Sequence, residues 1–294
     1  MWAEYRCKMA KSDFIFRCFA SGSSGNCYYL GTYESGILID AGISARTIHL
    51  NLKEMGLDWS NVRAVLITHD HADHIRAVGT IGERLHIPIY ATPLIHSGID
   101  RNYGVVEKLR TSRRYFEKGV PFELNGMTVN SFGISHDSTE CVSYVIDFKG
   151  ERFMIATDVG CVNPQLEQYV ATAQHLVIEA NHDEQMLLNG PYPSFLKERI
   201  LSDTGHMSNH TCGRVLAQNY HTGLKHVFLC HLSLENNDPK LAYDTVRSYL
   251  EGVGVNVDND LMLMALPRLE PTATFTFYSD DSHDDNTNQI STDK

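Results

Sequence analysis

Six consecutive positions, His69-Asp70-His71-Ala72-Asp73-His74, carry three imidazoles and two carboxylates. Buried in an ordinary turn, each of these groups would need its own polar partner, whereas a divalent cation satisfies several at once. The flanking pattern says how the chain presents them. Val65, Leu66 and Ile67 form a short apolar run, as a strand buried on both faces does. Ile75, Val78, Ile81 and Leu85 then recur at spacings of three and four, the stripe of an amphipathic helix. The histidines therefore lie in a strand-to-helix loop. Alternate side chains of extended backbone share a direction, so His69 and His71 reach one cation, while Asp73 and His74, where the chain turns, face a neighbouring one. Asp70 points away and is read as a partner orienting an imidazole.

Further along, acidic and imidazole side chains recur at the carboxyl ends of apolar runs. Asp40 closes Gly36 to Ile39, His136 follows Met127 to Ile134, Asp158 follows Phe153 to Thr157, and His231 follows Val227 to Cys230. Glu179 and His182 fall at the end of another such run, His175 to Ala180. His206 lies in a polar loop, Ser202 to Asn209, between two helical patterns. With Ser208 or Asn209 as cap, it sits beside a helix N-terminus, where anions are favoured. Near the start, Phe14 to Ala20 and Cys27 to Gly31 read as a hairpin joined by Ser21-Gly22-Ser23-Ser24-Gly25-Asn26, a loop able to offer N–H and hydroxyl groups to a phosphate.

The elements that position these groups fall into two series of strands, Phe14 to Thr92 and Phe122 to Leu266, each with helices mixed in. That arrangement implies two sheets packed face to face with helices outside, in one domain. Residues 14–277 are read as that domain, 1–13 as an N-terminal extension and 278–294 as a disordered tail with five aspartates against one lysine. The net charge of -11 repels nucleic acid at long range, so a polyanionic substrate must be met by metal ions or by a local basic patch. Arg101 to Lys118 is such a basic stretch, interleaved with Tyr103, Tyr115 and Phe116, and reads either as a solvated face or as a groove along a nucleic-acid backbone. Seven cysteines without a C-x-x-C pair, no leader-like apolar stretch and no bilayer-length run point to a cytoplasmic protein with no membrane partner.

In this order, Asp40, the H-x-H-x-D-H string of His69, His71, Asp73 and His74, then His136, Asp158 and His231 resemble the five motifs of the metallo-β-lactamase superfamily. The resemblance spans about residues 14 to 267. It implies an α/β fold, a four-layer αβ/βα sandwich with a dinuclear metal site along one edge. His69, His71 and His136 would hold one ion, Asp73, His74 and His231 the other, and Asp158 would bridge. Asp73 is thereby also counted among the catalytic residues. A donor set of imidazoles and carboxylates without thiolate suits zinc, and equally manganese or iron.

Within that superfamily the chain is most similar to the YycJ/WalJ type. The shared strings are Phe19-Ala20-Ser21-Gly22-Ser23-Ser24-Gly25-Asn26, Gly190-Pro191-Tyr192-Pro193, Gly205-His206-Met207-Ser208-Asn209 and His231-Leu232-Ser233. The likeness implies a phosphodiesterase acting as an exonuclease on DNA more than RNA, by in-line attack of a metal-bridging hydroxide. Between Asp158 and His231 there is no room for the extra β-CASP domain of RNase J-like relatives. By analogy with RNase Z-like enzymes, His206 would give a proton to the leaving oxygen or bind the phosphate. Glu179 and Asp40 would orient histidines, and Ser24, Asn26, Ser208 and Asn209 would contact phosphate. The alternative is a glyoxalase-like thioester or lactone hydrolase, which needs a small-molecule pocket and no acid at His206.

Overall fold

The computed structural model describes residues 14–277, so the extension and the acidic tail read from the sequence lie outside the described residues. Two seven-stranded sheets pack face to face. The first has the order β14-β1-β2-β3-β4-β5-β6, with β1 Phe14–Gly22, β2 Gly25–Gly31, β3 Gly36–Ile39, β4 Val62–Leu66, β5 Ile89–Ala91, β6 Arg113–Tyr115 and β14 Phe275–Phe277. The second runs β13-β12-β11-β10-β9-β8-β7, with β7 Phe122–Leu124, β8 Met127–Ile134, β9 Cys141–Phe148, β10 Glu151–Ala156, β11 His175–Glu179, β12 His226–Cys230 and β13 Met262–Ala265.

Each sheet is antiparallel on one side and parallel on the other, with β3 to β6 parallel in the first and β10 to β13 parallel in the second. The strands of the centre are covered on both faces, which is why they read as continuous apolar runs. Between the sheets Phe16 meets Phe153 at 5.1 Å and Phe228 at 4.9 Å, ring centre to ring centre. Outside the first sheet lie α1 Ala45–Glu54, α2 Ala72–Ile75 and α3 Pro93–Arg101. After β10 comes α4 Pro164–Val170, after β11 α5 Glu184–Asn189, α6 Ser194–Leu201 and α7 Asn209–Gln218, and after β12 α8 Pro239–Gly252; of these α4, α7 and α8 pack on the outside of the second sheet. The result is the αβ/βα sandwich expected. Among the described residues, no helix is long and apolar enough to cross a membrane.

Four local expectations change. The Ser21 to Asn26 loop is mostly strand: Ser21 pairs with Asn26 and Gly22 with Gly25, so the turn is only Ser23-Ser24. The helix after the histidine motif is not regular, because Thr80–Arg84 forms a π-helical segment. Its wider turn takes the apolar stripe out of phase, burying Ile75, Val78 and Ile81 but leaving Leu85 36 % exposed. Part of the basic stretch is the edge strand β6. Arg113 pairs with Asp100 at 2.5 Å and Lys118 with Glu140 at 2.6 Å, so two of the stretch's six basic side chains are already compensated within the protein. Finally, β14 returns from the end of the described chain to pair with β1.

Candidate metal centre

Asp40, His136, Asp158, Glu179 and His231, singled out in the sequence, meet at one edge of the sandwich, where the parallel strands of both sheets end. Three of them leave their strands with left-handed backbone: Asp40 at φ 58°, Asp158 at φ 56° and His231 at φ 53°. Such a residue turns sharply off the strand and throws its side chain across the edge, at a cost of about 1–3 kcal/mol each that neighbours must hold in place. Asp40 is held by its N–H to Leu66 O (2.8 Å) and by its carboxylate, which accepts from Thr68 N–H (2.9 Å). At His231 the N–H donates to Ser21 Oγ (2.9 Å) and the carbonyl accepts from Asn181 Nδ2 (2.8 Å). The α2 turn is pressed against the loop after β3 so closely that a Cβ on Gly42 would lie 1.5 Å from Asp73 O. Only glycine fits there.

His69, His71 and His136 bring one ring nitrogen each within 4.8 Å of one another, and so do the ligand atoms of Asp73, His74 and His231. Asp158 stands between the two groups, its Oδ2 3.3 Å from His74 Nε2 and its Oδ1 3.6 Å from His136 Nε2. Outer partners set the direction of each ring. Asp40 Oδ2 accepts from His74 Nδ1 at 2.7 Å, Thr68 Oγ1 lies 3.1 Å from His69 Nδ1, and Gly205 O accepts from His136 Nδ1 at 3.0 Å. The opposite nitrogens of these rings therefore point inward.

Does this donor set fit a metal? His69 Nε2 and His231 Nε2 are buried with no hydrogen-bond partner, a costly state for a polar atom that a cation relieves. Electrostatics agree with a site built for positive charge. Burial, reinforced by the neighbouring His74, pushes the His69 pKa well below the usual imidazole range. Asp158 is buried too, yet His231, His74 and His69 around it overcome that penalty and hold its carboxyl well below the usual range. Both are thus in the forms that ligate.

Glu179 and His206 also approach Asp158 and His231 closely enough to be counted with them as donors. The capacity of Glu179 is already used: Oε1 accepts from Nδ1 of both His206 and His231 at 2.9 Å, and Oε2 from Val159 N–H at 2.7 Å and Met207 N–H at 2.9 Å. Its geometry is that of an orienting group for two histidines, one of which the sequence had not connected to it. His206, with Nδ1 so occupied, borders a groove lined also by Ser23, Tyr192 and Arg199.

Other sequence expectations need correction. Asp70 orients no imidazole; its carboxylate accepts from Thr139 N–H (3.0 Å) and hydroxyl (2.6 Å), tying down the loop after His136. Asn26 is fully buried beneath the centre, with Nδ2 3.0 Å from His74 Nε2. Asn209 is fully buried as well and locked into a reciprocal amide pair with Asn237. Neither presents a face to a phosphate. Ser208 caps α7 and donates to Glu184, and of the hairpin turn it is Ser23 rather than Ser24 that borders the groove. Asn181 and Arg199, not marked by sequence reasoning, join the site; Arg199 pairs with Asp137, whose Oδ1 is 3.7 Å from His71 Nε2.

The Beta-lactamase superfamily domain family matches residues 36–231. The chain therefore belongs to the metallo-β-lactamase-fold hydrolases, a class of metal-dependent enzymes, and it is of the YycJ/WalJ type. It is 35% identical to exodeoxyribonuclease YycJ of Bacillus anthracis over 82% of this chain and 91% of that protein. To exodeoxyribonuclease WalJ of Streptococcus pneumoniae it is also 35% identical, over 85% of this chain and 94% of the relative. Among solved structures, Zn(2+)-bound PqqB from Methylobacterium extorquens superposes with a TM-score of 0.65 at 17% identity, covering 88% of this chain and 99% of PqqB. YhfI from Bacillus subtilis gives 0.63 at 15%, covering 90% and 100%.

Proposed function

We propose that this protein is a phosphodiesterase that removes nucleotides from an end of DNA with two divalent ions, zinc, manganese or iron, in the centre above. The observation that carries the reading is His206: an imidazole outside the two ligand groups, anchored by Glu179 and lining the groove that opens on Asp73, Asp158 and His231. Two relatives named exodeoxyribonucleases, matched over more than nine-tenths of their length, support the choice of substrate. His69, His71 and His136 would hold one ion, Asp73, His74 and His231 the other, and Asp158 would bridge them. Bound there, the ions supply Lewis acidity, lowering the pKa of water towards roughly 7 and offsetting charge on a phosphoryl oxygen.

The chain does the rest. Burial disfavours charge on Glu179, but the adjoining His206 and His231 together outweigh it and hold the carboxyl down to about 2, so the group is ionised and fixes the Nδ1–H tautomer of His206. A ring so fixed can carry a second proton at Nε2 and return it to the departing oxygen. Arg199 on α6 places a guanidinium over the same groove, where a phosphodiester can be gripped by paired N–H groups.

The test is release of nucleotides from end-labelled single- and double-stranded DNA by the metal-loaded protein, with an Asp73→Ala/His74→Ala control. Loss of release in the control is expected. His206→Ala should retain its metal and lower kcat on DNA by about 10²–10⁴-fold. It should lose far less on a diester with a 4-nitrophenolate leaving group, which needs no proton. Brisk thioester turnover without nucleotide release would overturn the reading.

A further inference from the structure

Behind His206 lies a second cavity of ≈ 150 Å³ that nothing in the chemistry above uses. It opens between the loops that follow β10 and β11 and the start of α7, and His206 is the one residue bordering both it and the groove. His182 forms its polar end. That side chain is 1 % exposed, and neither ring nitrogen has a hydrogen-bond partner. An imidazole buried with both nitrogens unsatisfied is expensive, since each forfeits a bond made in water. Burial, the largest influence on it, lowers its pKa to about 4, so at neutral pH it offers one N–H donor and one acceptor. Glu184 stands beside it. One carboxylate oxygen accepts from Ser208 Oγ at 2.9 Å, which leaves the other for a ligand. Thr211 adds a hydroxyl, and Val162 and Leu201 supply apolar wall.

This combination selects a chemical class. A carboxylate in the wall disfavours a phosphate or any other anion and favours an N–H donor. The volume is that at which a cavity takes up one six-membered ring. A neutral, planar heterocycle with an amino group next to a ring nitrogen satisfies the whole set: the amine donates to Glu184, as cytosine N4 donates to acidic side chains elsewhere, and the ring nitrogen accepts from His182. We propose that this cavity is a nucleobase subsite for the terminal nucleotide of the substrate, preferring cytosine, with His206 between the seated base and its phosphate. The proposal rests on the nuclease reading. It adds that the enzyme grips an end by its last base, because the base-sized cavity holds a single ring.

The test compares oligonucleotides whose two terminal nucleotides are dC with the same oligonucleotides ending in abasic deoxyribose, cut by the metal-loaded full chain. The wild-type protein should show a kcat/KM ratio of at least about tenfold in favour of the base. Val162→Phe, which fills the cavity from its rim, and His182→Ala should bring that ratio near one. A ratio near one in the wild type overturns the subsite even where DNA is cut well. Calorimetric binding of dCMP and abasic deoxyribose 5-phosphate to the wild-type chain gives an answer that depends on neither folding of the variants nor nuclease activity. Tighter binding of dCMP supports the subsite even if DNA is not cut, and equal or undetectable binding of the two overturns it.

Discussion

Two histidine clusters occupy opposite ends of the same strands, and they differ in how their nitrogens are spent. At the start of β11 and β12, His175 Nδ1 meets His226 Nδ1 at 2.9 Å, and His175 Nε2 donates to Glu151 Oε2 at 3.0 Å. Lys225 closes the far side of Glu151 at 3.0 Å, and Phe277 stacks on His175 with ring centres 3.7 Å apart. At the carboxyl ends of those strands, outer nitrogens are tied to Asp40, Glu179 and Gly205 while inner ones converge, and two have no partner at all. Histidine number is the same kind of fact at both ends. Unspent, converging nitrogens are what separates a metal centre from packing.

The sharpest way to break this contrast is reciprocal. His69→Ala should abolish turnover, by about 10³-fold or more given the scale of metal-assisted catalysis, and lower the bound metal, while the melting temperature of the metal-free protein stays within a few degrees. His175→Ala should do the reverse, losing several degrees of melting temperature with metal content and kcat intact. Metal analysis and melting curves on the two variants decide it, and loss of metal from His175→Ala would erase the distinction. A smaller effect tests the outer partners: Asp40→Asn should weaken metal affinity or activity by about 10–100-fold, read by competition with a chelator.

The smallest concerns pH. Burial, the leading influence, lowers the His226 pKa to about 4 from an ordinary imidazole's 6.5. Between these values the unfolded chain binds a proton that the folded one does not, so the contribution is full above the upper value and fades as pH falls through the window. From pH 7 to pH 5 this costs about 1 kcal/mol after allowing for partial exposure. His226→Asn should therefore flatten the acid side of the stability profile in denaturant titrations of the metal-free protein, and an unchanged slope would remove His226 from that role.

Much of the fold was legible because its strands are buried on both faces and end in chemically odd residues. Asp40, His136, Asp158 and His231 stood out as polar groups closing apolar runs, and they do converge. What escaped was decided by partners distant in sequence. Ser21 and Asn26 have the composition of a loop, yet the neighbouring strands hold them extended, and Ser21 then fixes the backbone of His231. β14 has only three residues and pairs with a strand some 260 positions away, so no local period marks it. The reciprocal pair of Asn209 and Asn237 turns a seeming phosphate contact into a buried brace. His182 carried a faint signal, an imidazole two residues beyond a buried strand's end, and only its missing partners give it meaning.

The left-handed residue at the end of β12 has an evolutionary corollary. Glycine at position 231 would adopt φ 53° at almost no cost, whereas histidine does so at the expense of folding energy. Screening random libraries for heat resistance alone would therefore favour chains that have discarded this histidine. Durability and turnover make opposing demands on one codon.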